Sequence, residues 1–177
     1  MYDNLTLGKE LCVVPEDILN FLNKKLFSCK EHCIPNLQTD IYRQWNLHTE
    51  TPWHQKRELS SVWLTDDCVI LDNFFEKYVR KIFRFRLSEL DPNQKIDWHS
   101  RHSYPRIHIP LNGSYSQFVI KDNLGMTETV IPMYYGKAYV INVTLPHSVN
   151  QTPLIRHNAF FSFDQFANEN LASDFKS

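Results

Sequence analysis

The chain has 177 residues, which is the size of one domain and enough to bury a substantial core without disulfide bonds. Hydrophobic residues make up 42% and aromatic residues 14% of the sequence, a composition that argues against disorder. The formal net charge of −1 provides no global field that would attract nucleic acid or an anionic membrane. No apolar run approaches the roughly 20 residues of a membrane-spanning helix, and the first residues lack the basic-then-apolar order of a secretory signal.

The four cysteines indicate a reducing compartment. Cys29 and Cys33 lie one helical turn apart with His32 between them, but no second pair of ligands follows at the spacing that zinc requires. We therefore interpret Cys12, Cys29, Cys33 and Cys68 as free thiols and expect a cytoplasmic protein.

The first 80 residues are expected to be mostly helical. Residues 14–32, VPEDILNFLNKKLFSCKEH, have a proline at the start, acidic residues in the first turn and one apolar stripe, which predicts an amphipathic helix. Residues 72–83, DNFFEKYVRKIF, predict a second helix capped by Asp72 or Asn73. The pattern of residues 35–64 is mixed.

After residue 83 the pattern changes to short segments bounded by turn residues. FRFRLSEL alternates apolar and polar residues as a half-buried strand does, and IKDNLGMT has the Asp, Asn and Gly typical of a hairpin turn. Further strands are predicted at RIHIPL, YSQFVI, TVIPMYY, AYVINVT and RHNAFFSFD. Because no helical segment separates them, these strands predict an antiparallel sandwich or barrel within one α+β domain.

One basic run could be taken for a nucleic-acid-binding patch. Residues 76–86, EKYVRKIFRFR, interleave basic and aromatic side chains. The first part is also typical of a solvated helix face and the second of an alternating strand, in a chain that is nearly neutral. We therefore expect no nucleic-acid partner.

Histidines and arginines form a separate pattern along the predicted strands. Three of the eight histidines, His99, His102 and His108, lie within ten residues. His147 follows 48 residues after His99, and Arg156 follows nine residues later at the start of an apolar strand. Neutral imidazole suits Fe(II), and the planar arginine fork matches a carboxylate. An arginine in such a strand is costly to bury unless a carboxylate meets it.

This layout resembles that of the Fe(II)- and 2-oxoglutarate-dependent oxygenases, and two motifs resemble the aspartyl/asparaginyl β-hydroxylase branch of that superfamily. The first motif is R-x-H, formed by Arg106 and His108. The second is N-x-x-x-x-H-x-V-x-N, followed by Arg and an apolar strand that ends in Asp. Its residues are Asn142, His147, Val149, Asn150, Arg156 and Asp164. The resemblance covers residues 83–166.

The resemblance implies a double-stranded β-helix, which is a jelly-roll or cupin-like core, in residues 81–168. Residues 1–80 would be a mostly helical support packed on it, and residues 169–177 a tail. The implied function is hydroxylation of an amino-acid or peptide side chain, or of a small molecule, with Fe(II) and 2-oxoglutarate and without a membrane partner. Two alternatives stay open: a non-catalytic cupin-like module that binds an anionic ligand, and a metal enzyme on the same barrel that does not use 2-oxoglutarate.

The resemblance also implies roles for individual residues. His99 and His147 would bind the iron, and Arg156 would bind the far carboxylate of 2-oxoglutarate. Arg106 and His108, two residues apart and so on one strand face, would line the pocket and help to hold the co-substrate or the substrate.

One position departs from the pattern of the superfamily. Most members have an Asp or Glu ligand two residues after the first histidine, where this chain has Arg101, and a protonated arginine cannot ligate iron. Arg101 is a candidate to pair with an acidic substrate or with Asp97, and a shift of register could bring His102 or Asp97 to the metal. Without that shift, surface or structural roles are expected for the remaining histidines, which are His32, His48, His54, His102 and His157.

Overall fold

The computed structural model describes residues 4–46, 69–100 and 102–176. In these ranges the helices are α1 (Glu16–His32), α2 (Val69–Phe75) and α3 (Glu169–Asp174). The strands are β1 (Gly8–Val13), β2 (Asn36–Thr39), β3 (Tyr42–Asn46), β4 (Ile82–Leu90), β5 (Ile96–His99), β6 (Arg106–Leu111), β7 (Tyr115–Lys121), β8 (Glu128–Tyr134), β9 (Lys137–Ile141), β10 (His147–Val149) and β11 (Arg156–Phe163).

The strands form two antiparallel sheets that face each other. The seven-stranded sheet has the order β1-β9-β6-β11-β4-β3-β2, and the four-stranded sheet has the order β5-β10-β7-β8. Tyr139 and Ile141 of the larger sheet pack in one buried cluster with Phe118, Ile131 and Val149 of the smaller sheet. This arrangement confirms the predicted jelly-roll core.

Helices cover the other face of the seven-stranded sheet. Leu22 and Leu26 of α1 are fully buried in one cluster with Leu87 of β4 and Ile109 of β6, and each such leucine stabilises the fold by roughly 2 kcal/mol. Because side chains alternate across a strand, the neighbours of these residues point into the cleft between the two sheets. No helix of the described ranges is both long and apolar enough to cross a bilayer.

The predicted elements of the second half are confirmed with small shifts at their ends. RIHIPL coincides with β6, and RHNAFFSFD differs from β11 by one residue. The predicted hairpin turn follows β7, where Asp122 N donates to Thr127 O and Gly125 has a φ of 68°. The helix predicted at 14–32 is α1.

The second predicted helix is placed differently. α2 begins before Asp72, which we expected as a cap, and it ends at Phe75 and not at residue 83. Val79 pairs with Phe166 in an isolated β-bridge, and this pairing with a distant segment draws residues 76–83 out of the helix.

The first 80 residues contribute strands as well as the expected helices. β1 pairs with β9 at one edge of the larger sheet, and β3 pairs with β4 near the other edge. Partners far away in the sequence therefore determine these short strands more than local pattern does. The expected tail contains α3, whose N-terminal cap is Asn168 accepting from Leu171 N.

A buried ionic network ties α1 to the outer face of the larger sheet. The side chain of Glu89 on β4 is 7% exposed and accepts hydrogen bonds from Lys30 of α1, from Arg43 at 2.9 Å and from His157 at 2.8 Å. Burial alone would raise the pKa of Glu89, but the bonds from Lys30, His157 and Arg43 outweigh burial and lower that pKa. The carboxylate therefore stays charged and holds the three donors.

We expect Glu89→Gln to lower the free energy of unfolding by about 1–3 kcal/mol at neutral pH, because three donors lose a charged acceptor. The folded-state pKa of Glu89 lies below the unfolded value of about 4.3, so this stabilisation is present above the unfolded pKa and is lost as pH falls through the folded pKa. Urea unfolding across that range measures both effects.

The control for this variant is Glu10→Gln, which alters an exposed ion pair with Lys137. It should leave the unfolding curve unchanged. A difference between Glu89→Gln and the wild type that stays constant into strong acid would contradict the expectation.

Candidate metal centre

The pairing of β5 with β10 brings two histidines together. His99 and His147 are opposite residues in this antiparallel pair, and their ring centroids lie 4.1 Å apart. His102, which follows β5, has its ring centroid 5.8 Å from that of His99 and 5.4 Å from that of His147. One potential ligand atom from each ring lies within 4.8 Å of the other two. These three side chains form a cluster that could hold a metal ion.

Backbone hydrogen bonds orient two of the rings. Nδ1 of His99 lies 2.8 Å from Asp97 O, and Nδ1 of His147 lies 2.8 Å from Leu145 O. Because a carbonyl oxygen only accepts, each ring donates from Nδ1 and keeps the lone pair of Nε2 for a metal. The turn before His147 is held by Asn142, whose backbone oxygen accepts from Leu145 N.

Burial keeps the imidazole rings of His147 and His102 neutral. Desolvation lowers the pKa of His147 to about 3, and desolvation together with repulsion from Arg106 lowers the pKa of His102 further. Neutral imidazole has the lone pair that a divalent transition metal binds. Nε2 of His102 is buried and has no hydrogen-bond partner among the described residues. The donor set fits a divalent metal, and the unpartnered nitrogen fits a polar ligand beside it.

Arg106 and His108 lie on the face of β6 that points into the cleft. They are 8% and 3% exposed, while the alternate residues Ile107 and Ile109 pack in the cluster on the helix side. His108 stacks on Phe160 with ring centroids 5.2 Å apart, and the guanidinium of Arg106 lies over the same ring at 5.0 Å. The two side chains therefore line the interior of the jelly roll.

Arg156 begins β11 and is a buried cation. Nη1 donates to Ser116 Oγ at 3.1 Å and to Asn150 O at 2.8 Å, whereas Nη2 is buried with no partner in the described part of the chain. Burial lowers the pKa of Arg156 to about 10 without a contribution from any carboxylate, so it stays charged at neutral pH. Asp164 follows the far end of β11, eight residues from Arg156, which corresponds to roughly 26 Å at the rise of a strand. The free N–H of Arg156 is thus available to an anion.

The cleft brings the candidate residues into one continuous region. The ring of Phe118 lies 4.7 Å from His108 and 6.1 Å from His147, which connects the stacked side chains of β6 with the histidine cluster. The residues so connected are His99, His147, Arg106, His108 and Phe160. Arg101 lies outside the described residues.

His102, for which a surface or structural role was expected without a shift of register, lies in the histidine cluster. The chain turns between β5 and β6, so His102 folds back against the rings of His99 and His147. Its Nδ1 lies 2.9 Å from Nη2 of Arg106. The sequence feature that could have indicated this position is the short spacing: His102 follows His99 by three residues, in the segment that leads into Pro105 and β6.

Solved structures with the same fold include oxygenases. An oxidoreductase of the 2OG-Fe(II) oxygenase family from Burkholderia pseudomallei has a TM-score of 0.61 and 14% identity, covering 92% of this chain and 87% of that one. A prolyl-4-hydroxylase from Pseudomonas putida has a TM-score of 0.58 and 13% identity, covering 90% and 93%. HygX from Streptomyces hygroscopicus, with nickel, 2-oxoglutarate and hygromycin B bound, has a TM-score of 0.60 and 9% identity, covering 93% and 84%.

At these identities the likeness establishes the fold alone. The likeness confirms the expected jelly-roll fold, which this chain shares with these oxygenases. No protein-family model matches the sequence, and a search of curated proteins finds no match.

We expect the purified protein to bind one divalent ion, with Ni(II) or Mn(II) as the probe, and His147→Ala to weaken this binding at least about tenfold. Isothermal titration calorimetry measures the affinity. The control is His32→Ala, at the exposed end of α1, which should bind as the wild type does. Equal affinities of the two variants would show that the metal binds elsewhere.

Proposed function

We propose that this protein is an Fe(II)- and 2-oxoglutarate-dependent oxygenase. One observation carries the proposal. His99 and His147 face each other in the cleft of the jelly roll, and the buried guanidinium of Arg156 lies in the same cleft. A metal-binding pair and a separate cation match a co-substrate that chelates a metal at one end and has a carboxylate at the other. The fold shared with 2OG-Fe(II) oxygenases supports it.

Each part of the cleft has a role in this proposal. His99 and His147 would hold the metal through Nε2, and Arg156 would bind the far carboxylate through Nη2. Ser116 accepts a hydrogen bond from Arg156, so its hydroxyl hydrogen is free to donate to the same carboxylate. Iron and 2-oxoglutarate together supply the oxidising chemistry when bound, while the chain orients them and keeps water out.

Aromatic and polar side chains of β6, β7 and β11 would shape the co-substrate pocket. Phe118 and Phe160 flank the ring of His108, and Nε2 of His108 is buried with no partner among the described residues. We propose that His108 and Arg106 line this pocket and contact the co-substrate or the substrate. The flanking rings limit the access of water.

For the substrate we propose an amino-acid or peptide side chain, as the R-x-H and N-x-x-x-x-H-x-V-x-N motifs suggest through their resemblance to the aspartyl/asparaginyl β-hydroxylase branch. Arg106 is a second buried cation in the cleft, and burial, followed by repulsion from Arg86, lowers its pKa to about 9. Arg101 remains a candidate for the site mouth by sequence alone. The cytoplasm remains the proposed location on the cysteine pattern.

We expect the Fe(II)-loaded protein to convert 2-oxoglutarate slowly to succinate even without a substrate, and His147→Ala to abolish this conversion. Succinate is measured by proton NMR. Binding of 2-oxoglutarate that does not depend on a metal would favour the anion-binding module. Metal binding without any affinity for 2-oxoglutarate would favour a metal enzyme that does not use it.

We expect Arg156→Met to weaken 2-oxoglutarate binding about 10–100-fold, because a charge-assisted hydrogen bond contributes roughly 1.5–3 kcal/mol. The affinity for Ni(II) should stay unchanged, because Arg156 does not reach the metal in this proposal. Calorimetric titration of the metal-free protein with Ni(II), and then of the Ni(II)-loaded protein with 2-oxoglutarate, measures the two affinities. Arg80→Met, at an exposed arginine, is the matched control, and an equal loss in the two variants would count against this role of Arg156.

A further inference from the structure

The three histidines of the cluster differ in the kind of group that meets their Nδ1 atoms. His99 and His147 face backbone carbonyl oxygens, of Asp97 and Leu145, each at 2.8 Å. These oxygens can only accept, so Nδ1 of each ring carries a hydrogen, and in the neutral tautomer that follows Nε2 is free to bind a metal.

His102 faces a donor where the other two face acceptors. Nη2 of Arg106 donates to Nδ1 of His102 at 2.9 Å, and a guanidinium has no acceptor to offer in return. Nδ1 therefore carries the lone pair, and the hydrogen of the neutral ring is on Nε2. A nitrogen that carries a hydrogen cannot ligate a metal. Nε2 is also the buried atom for which the described residues offer no hydrogen-bond partner.

Arg106 is held in the position that this tautomer requires. Its side chain starts from β6, which is bonded to β11 on one side and to β9 on the other. The guanidinium lies over the ring of Phe160 at 5.0 Å and is hydrogen-bonded to His102. Rotation away from His102 would break this hydrogen bond.

We propose that His102 is not a metal ligand but a hydrogen-bond donor, set in its tautomer by Arg106, that positions an anionic oxygen ligand beside the metal. The inference rests on the proposed metal centre. His99 and His147 alone then hold the metal, and Nε2 of His102 together with the remaining N–H groups of Arg106 binds one carboxylate. That carboxylate belongs either to 2-oxoglutarate or to the substrate.

Nitrogen-15 NMR of the imidazole rings tests the tautomers without any substitution. In the metal-free protein we expect Nδ1–H for His99 and His147 and Nε2–H for His102, as read from long-range proton–nitrogen correlations. On loading with Zn(II), two Nε2 resonances should move to metal-bound positions, and His102 should keep its Nε2–H pattern. Three metal-bound imidazoles would overturn the inference and leave the proposed function intact. Failure to bind Zn(II) at all would overturn both.

Substitutions of His102 and Arg106, singly and together, test the role of Arg106. His102→Phe should leave Zn(II) affinity unchanged within about twofold, whereas the loss of a true ligand would lower it at least about tenfold. Arg106→Leu frees Nδ1 of His102, so the hydrogen can move there and Nε2 can join the metal. We therefore expect Arg106→Leu to bind Zn(II) more tightly, by about tenfold, and the double variant with His102→Phe to lose that gain. A gain that survives in the double variant contradicts the mechanism.

The source of the carboxylate is distinguished by two probes on the Zn(II)-loaded protein. If 2-oxoglutarate supplies it, His102→Phe weakens 2-oxoglutarate binding several-fold while acetate, added to the complex with 2-oxoglutarate, binds neither form. If the substrate supplies it, 2-oxoglutarate affinity is unchanged, and acetate binds the wild-type complex but not the variant. Unchanged affinity for both probes would refute a donor role for His102. Thermal unfolding of each variant confirms that it is folded.

Discussion

The candidate site depends on the antiparallel pairing of β5 with β10. This pairing sets His99 opposite His147, and the carbonyl oxygens of Asp97 and Leu145 then turn both rings so that Nε2 is free. Four strands, β6 to β9, separate the two histidines in the sequence. Since the paired histidines belong to the smaller sheet and Arg156 to the larger one, the site exists only when the two sheets face each other.

The parts of the site that follow from strand period could be predicted from the sequence. Arg106 and His108 share a face because side chains alternate, and the apolar residues between them identify the other face as the one against the helices. The amphipathic stripe of α1 likewise shows which side it buries. The spacing of His99, His147 and Arg156 is meaningful only through the resemblance to a known family, because no local rule joins strands so far apart.

Other features are set by contacts that no local pattern records. The position of His102 depends on how the chain turns between two strands of different sheets. Such a turn has no periodic pattern of apolar and polar residues from which the direction of a side chain could be predicted. β1 and β3 are short and become strands by pairing with β9 and β4. Their partners lie 40 or more residues away, as do the bridge partners Val79 and Phe166 that end α2 early.

The two halves of the cleft are held with unequal strength. β11, which Arg156 begins, is the fourth of seven strands and is bonded to β4 and β6, so it is better protected than β5. β5 has four residues and is an edge strand, bonded only to β10. A metal ion bound by both His99 and His147 would hold the edge strand β5 against β10, which is hydrogen-bonded on both sides. Metal binding and local unfolding of this edge would then be linked equilibria, because an ion that binds only the paired strands opposes their separation.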